Sequence, residues 1–191
     1  MKQILLIIPG LFICFFSFAQ EIWTVDNSHS NLRFEVGWED FSMRTGEFKI
    51  FEGTIETYSR DDLSNAVFTF KVDASSVDVI ADRLADHVKS DRFLNVEIFP
   101  EIKFSSSGVK VISDSTYIST GKIEIHGIEK EQEVSVWLKG QKKGRRSQIL
   151  GLEVELILNR KDFGLDWGSP RLGETIKIVG HLLFQMRINE E

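Results

Sequence analysis

From residue 150 to 158, and again from 176 to 188, the chain places an apolar residue or glycine at every second position. The first run is Leu150-Leu152-Val154-Leu156-Leu158, and the second is Ile176-Ile178-Gly180-Leu182-Phe184-Met186-Ile188. A period of two is the repeat of an extended strand, whose successive side chains point to opposite faces. Strands this long leave long hydrogen-bonding edges, and closing the sheet on itself removes them. Shorter runs of the same kind fill most of the chain. They are Leu32-Phe34-Val36-Trp38, Ala66-Phe68-Phe70-Val72, Ile102-Phe104, Ile123-Ile125 and Val134-Val136-Leu138. Gly46 opens a strand with Phe48, Ile50 and Phe51, and Gly53 continues or kinks it, since a glycine inside a strand marks a bulge or a barrel corner. Residues 41–45 are expected to form a turn or short helical crossing. Turns are also expected at 113–115, 127–131 and 159–164, and a turn or bulge at 105–108. Gln141 to Arg146 reads as a basic, solvated hairpin tip rather than a binding site.

One stretch departs from this pattern. Between Arg83 and Phe93, Leu84 and Val88 recur at helical spacing, and Arg83 and His87, four apart, share a helix face. The spacing predicts one short helix near residues 82–93. It either closes a barrel end and meets a ligand head group or is an ordinary solvated crossing. With no βαβ rhythm and no internal repeat, the chain is expected to be all-β: an antiparallel barrel or sandwich of about eight strands. Eight strands would enclose an interior that side chains fill or that holds one ligand.

The first residues are not expected to join this fold. Met1-Lys2, the apolar run from Ile4 to Phe18 and the small residues of Ser17-Phe18-Ala19 have the form of a secretory signal peptide, with cleavage between Ala19 and Gln20. Residues 20–191 would then be a single domain, periplasmic or secreted, with no membrane-spanning segment. Cys14, the only cysteine, lies in the leader, so the mature chain would have no disulfide and no thiol chemistry. The net charge of −6 argues against nucleic acid as a partner. Among aromatic residues there are 15 Phe and 4 Trp against 2 Tyr. Phe has no polar handle, so this excess suits a large dry core or an enclosed apolar ligand.

The chemistry-bearing residues are sparse. His29, His87, His126 and His181 form no close metal-binding pair, and no metal site is expected. There is no Gly-x-Ser-x-Gly elbow, P-loop or dinucleotide fingerprint. Asp162 and Asp166 flank Phe163-Gly164-Leu165, where a turn explains them without catalysis. Abundant apolar positions without convergent catalytic groups favour a binder over an enzyme.

Five stretches, in order, resemble the YceI-like family of exported lipid-binding proteins. They are Val25-Asp26-Asn27-Ser28-His29-Ser30 with Phe34-Glu35-Val36, then Gly46-Glu47-Phe48 with Phe51-Glu52-Gly53-Thr54-Ile55, then Asp86-His87-Val88-Lys89-Ser90 through Phe104. Gly121 to Lys130 and Asn159-Arg160-Lys161-Asp162-Phe163-Gly164-Leu165 complete the set. The resemblance implies a lipocalin-like antiparallel barrel with an apolar tunnel for a polyisoprenoid, an isoprenoid quinone or a fatty acid, with no metal and no established catalysis. The sequence departs from the family pattern at Trp38, Leu84-Ala85 and Asn95.

The leading expectation is a lipid-binding protein that stores, transports or sequesters one apolar chain. Its wall is assigned to Phe34, Val36, Trp38, Phe48, Phe68, Phe70, Phe104, Ile123, Ile125, Leu156, Ile176 and Ile178. Its mouth is assigned to Arg83, His87 and Asp162-Phe163. No cofactor beyond a bound lipid is expected, and a homodimer stays open. The alternatives are an enzyme or accessory protein acting on a lipid or quinone, with His87 or His29 as acid/base, and a partner-binding barrel with a filled interior.

Overall fold

A computed structural model describes residues 20–59, 62–80, 82–144 and 147–187, with backbone only for Asp82 and Arg83. The expected leader, the tip residues Arg145 and Arg146, and Ile188 lie outside the described residues, as does the Arg83 side chain.

The alternating runs form eleven strands: β1 (Glu21–Val25), β2 (Asn31–Trp38), β3 (Ser42–Phe48), β4 (Phe51–Thr57), β5 (Val67–Asp73), β6 (Val77–Val79), β7 (Glu101–Ser113), β8 (Thr116–Ile125), β9 (Ile128–Lys143), β10 (Ser147–Asn159) and β11 (Leu172–Arg187). Helix α1 (Asp82–Lys89) lies between β6 and β7. All pairings are antiparallel, and eight strands close in the order β1-β4-β5-β7-β8-β9-β10-β11. Thr24 and Val25 of β1 pair with Gln185 and Phe184 of β11 and seal the ring.

β2, β3 and β6 prolong the ring rather than adding to it. The C-terminal end of β11 pairs with β1, and its N-terminal part pairs with β2. β2, β3 and β6 thus continue β1, β4 and β5 beyond three short breaks. These breaks are neighbours across the sheet. The Asn27 side-chain amide donates to the Phe51 carbonyl, and the Ile50 amide donates to Ser76 Oγ at 3.1 Å. Two of the breaks are capped by an aspartate: Asp26 accepts from the Ser28 amide at 2.9 Å and Asp73 from the Ser75 amide at 2.8 Å. Such Asx turns satisfy the backbone where the ladder stops, so the sheet can bend there.

The run of β2, β3 and β6 ends at β6, which among the described residues pairs with β3 alone. α1 and the turns up to Pro100 span the gap between β6 and β7. The Leu94 amide bonds back to the Val88 carbonyl at 3.0 Å and the Val96 amide to the Lys89 carbonyl at 3.1 Å, folding the turns onto the helix. The helix is shorter than the expected 82–93, because Ser90 leaves the helical pattern and its Oγ donates to the His87 carbonyl at 2.8 Å.

Two expected turns are also shorter than their composition suggests. Residues 42–45 pair with β2, so only residues 39–41 turn, with Glu39 at φ 50° and Asp40 at φ 58°. Of residues 127–131, only Gly127 turns, together with His126. Both have positive φ, as a two-residue hairpin loop demands, and β9 begins at Ile128. β9 likewise runs on to Lys143 within the expected basic tip. The Ser105–Gly108 stretch is a bulge, with the β7–β8 register shifting between Ser106 and Gly108.

The end of the barrel closed by β1 is solid. Trp23, Ile55, Leu150 and Phe184 are fully buried there, and Tyr117, Leu152 and Met186 pack in the same core.

Candidate functional site

Above this plug the barrel is hollow. A cavity of about 650 Å³ opens between the β2–β3–β6 arm, the opposite wall of β7 to β11, and α1. That volume falls in the range of small-molecule pockets. The inward-facing alternation of each strand supplies the wall. Phe34, Val36, Trp38, Phe48, Phe68, Phe70, Phe104, Ile123, Ile125, Leu156, Ile176, Ile178 and His87 all line it. Of the residues assigned from sequence, Arg83, whose side chain is outside the described residues, Asp162 and Phe163 are absent from the lining.

Three aromatic rings of the wall sit against glycines on neighbouring strands. Phe34 pairs with Gly46, Phe70 pairs with Gly53, and the Phe104 ring reaches Gly121. A Cβ on Gly53 would stand 2.6 Å from Phe70 Cε1, and one on Gly121 would stand 2.8 Å from Phe104 Cζ. The missing side chains let the rings lie flat against the sheet and leave the centre open. Phe34 also packs against Phe48 at 5.6 Å between ring centroids, and Phe70 meets the edge of Phe184 at 6.0 Å, spacings at which aromatic pairs attract.

Of the exposed members of the lining, Lys103 is tied to Glu101 and Glu124 on the outer face, and Arg44, Thr45 and Trp167 mark the mouth. Here Trp38 lies between two guanidinium groups, Arg44 and Arg171, each 5.0 Å from its ring centroid. Arg171 is also paired with Glu39. His87, on α1, lies 3.8 Å from the Trp167 ring centre, and its Nε2 is buried without a hydrogen-bond partner. An ammonium, carboxylate or phosphate could therefore be met only at this rim. The wall behind it, Ser119 apart, offers apolar carbon.

Phe163 is fully buried in the turn after β10, away from the cavity, and its carbonyl lies 3.3 Å from His126 Nδ1. Asp162 is exposed. Arg160 is the residue of that motif that shapes the mouth. It is fully buried, and it donates to the carbonyls of Gly173 (2.7 Å), Trp167 (3.0 Å), Leu172 (2.9 Å) and Leu165, and to Ser169 Oγ (3.1 Å). This fixes the loop that carries Leu165, Trp167 and Leu172 into the lining. Burial pushes its guanidinium down from its ordinary value, against the opposing charges of Asp166 and Glu174.

Sequence reading did not assign Leu84, Val88, Phe93 and Leu94 to the site, although the first two define the helical spacing; all four line the cavity. Ser119 was also missed. Counting back by twos from Ile125 and Ile123 puts it on the inner face, but its polarity hid it. His29 is at the surface with its ring Nδ1 2.9 Å from Asp26, outside the lining, so the geometry lends no support to an acid/base role on a bound lipid. That bond holds the Asp26 carboxyl below its usual range. Among the described residues, no three His, Cys, Asp or Glu side chains converge as a metal site, and no helix is long and apolar enough to cross a membrane.

Known proteins share this architecture. The structure of Burkholderia cenocepacia BcnA superposes with a TM-score of 0.73 at 20% identity, covering 83% of this chain and 98% of that one. A structure described as a polyisoprenoid binding domain from Saccharophagus degradans superposes at 0.64 with 14% identity, covering 86% and 98%. Protein YceI of Salmonella newport is 30% identical over 158 residues, 81% of this chain and 80% of that protein. The YceI-like domain model matches residues 23–184, from the buried tryptophan of β1 to the buried phenylalanine of β11. The match thus takes in β2 to β10 whole and most of β1 and β11, and this chain belongs to the YceI-like family.

Proposed function

We propose that this protein binds a single apolar chain, isoprenoid or acyl, in its barrel cavity, and that it does so outside the cytoplasm after losing its leader. The hollow half of the barrel, walled by Phe, Val, Leu and Ile and rimmed by polar groups, carries the reading. Burying each methylene is worth about 0.8 kcal/mol, so a long chain gains affinity from length with few polar contacts. The Saccharophagus degradans domain of the same fold is described as polyisoprenoid binding, a ligand of this class, which supports the reading. Storage, transport and sequestration are all served by such a cavity.

The test is native mass spectrometry of the mature protein, purified under gentle conditions. A mass increase of several hundred daltons, lost on organic extraction, is expected. The Phe70→Glu variant, which puts a charge into the wall, should fold and carry no added mass. An unmodified mass, with no uptake of added isoprenoid or fatty acid by the wild type, would overturn the proposal.

A further inference from the structure

The closed end of the cavity contains one polar side chain that the fold leaves unused. On each strand the lining stops at a defined residue: Leu32 on β2, Phe68 on β5, Ser119 on β8, Val136 on β9, Val154 on β10 and Leu182 on β11. Beyond them lies the solid plug. Ser119 is thus part of the floor, farthest from the Trp38 and Trp167 rim. It is 1% exposed, and its Oγ has no hydrogen-bond partner among the described residues. The β8 alternation turns it inward with Tyr117 and Ile123, while its backbone is committed to ladders with Val109 and Val134. The other floor side chains are hydrocarbon. Trp23 Nε1 and Gln148 Oε1 are also buried and unpartnered, but neither residue lines the cavity.

A buried hydroxyl without a partner costs about 1–3 kcal/mol, and an alanine would fill the same place without that cost. A hydroxyl both donates and accepts, so it complements a neutral oxygen of either kind. It cannot stabilise a full charge in an apolar pocket, where an unpaired carboxylate or phosphate is far more costly to bury. Charged head groups would instead stay at the rim near Arg44 and Arg171.

Resting on the lipid-binding reading above, we propose that Ser119 is the anchor of the site. It hydrogen-bonds a neutral hydroxyl or carbonyl that the lipid carries into the closed end of the barrel, so that the ligand enters polar end first. The cavity would select neutral oxygenated lipids over hydrocarbons of the same length. It would also prefer them to charged lipids, whose heads cannot descend.

The experiment uses the delipidated mature protein, a seventeen-carbon methyl ketone and heptadecane, with displacement of a neutral fluorescent probe as the readout. The wild type should bind the ketone more tightly than the alkane. Ser119→Ala should weaken the ketone by about tenfold, the equivalent of one good hydrogen bond, and leave the alkane within about twofold. The infrared stretch of the bound ketone supplies a second readout. It should be shifted down by a hydrogen bond in the wild type and should move to its value in alkane solvent in Ser119→Ala. Ser119→Thr, which keeps the hydroxyl, should retain the shifted stretch.

A carbonyl stretch that Ser119→Ala leaves unchanged, or an equal loss for ketone and alkane, would overturn the anchor while leaving lipid binding intact. Failure of the wild type to bind either compound would instead count against the lipid-binding reading.

Discussion

The residue with the heaviest structural duty near the mouth is Arg160. Its guanidinium meets five oxygen acceptors along the loop between residues 165 and 173, and no carboxylate accepts any of those bonds. The planar fork suits this role, since it offers five donors in fixed directions. Arg160→Met would strand several buried carbonyls. It should lower stability by about 3 kcal/mol or more, read as a fall in the urea midpoint. Arg160→Lys should recover only part of the loss, because an ammonium cannot span the same acceptors. A loss below about 1 kcal/mol for Arg160→Met would show that the loop holds its shape without this residue. The Asn159–Leu165 motif was legible in the sequence, but its role was not. It pointed to Asp162 and Phe163 as a ligand-facing pair. One of these is exposed and the other fully buried, and Arg160 organises the site from behind.

Among the elements, the β4–β5 pair shows how cavity volume is set. Gly53 faces Phe70 in register, and the ring occupies the place of the missing side chain. Gly53→Ala should push Phe70 toward the cavity axis. The protein should still fold, at a cost of about 1–3 kcal/mol for overpacking. Its lipid affinity should fall, most for the bulkiest ligand, as titration with chains of increasing girth would show. Affinity unchanged for every ligand would mean that the ring tilts sideways without narrowing the cavity. The sequence suggested a bulge or corner at Gly53. The strands break instead near residues 27–29, 49–50 and 74–76, and Gly46 and Gly53 make room for rings. Helix α1 was legible from the spacing of Leu84 and Val88. The return of the chain beneath it was not, because that return depends on Asn95 at φ 48° and on backbone bonds to Ser90, Val88 and Lys89.

Over the molecule as a whole, the outer face is a lattice of exposed ion pairs. Lys71 holds the Glu101 carboxyl below its usual range by a hydrogen bond, as Lys139 does for Glu153 and Lys161 for Glu174. In return, the hydrogen bonds that Lys71, Lys122 and Lys177 donate to Glu101, Glu129 and Glu155 raise these lysines. The carboxylates with lowered pKa contribute stability that is present above their unfolded values and is lost as pH falls through their folded values. The lysines contribute stability that is present below their unfolded values and is lost as pH rises through their folded ones. The urea midpoint should therefore be flat between about pH 5 and pH 10 and fall on both sides. Because these pairs are solvent-exposed, the acid slope should be shallow, and shallower still in about 1 M salt, where the screening length is about 3 Å. A slope that ignores salt would place its origin in buried groups.

The sequence by itself limited this chain to an antiparallel barrel or sandwich, its resemblance to a known family pointed to the barrel, and the wall positions named from the alternation lie in the cavity lining. A period of two obliges alternate residues to share a face, and long apolar faces with long edges are best buried by closure. Only the tertiary structure decided which half of that barrel is solid and which is hollow. Phe68 and Phe184 both read as apolar inward positions, yet one lines the cavity and the other fills the plug. The difference arises because the β2–β3–β6 arm beyond the breaks pairs with β11 on one side but not with β7 on the other, while β1, β4 and β5 below them stay in the closed ring. The depth of Ser119 in the cavity has the same origin. A strand's pattern assigns a face to each residue, whereas the distance across to the opposite wall depends on strands far away in the chain.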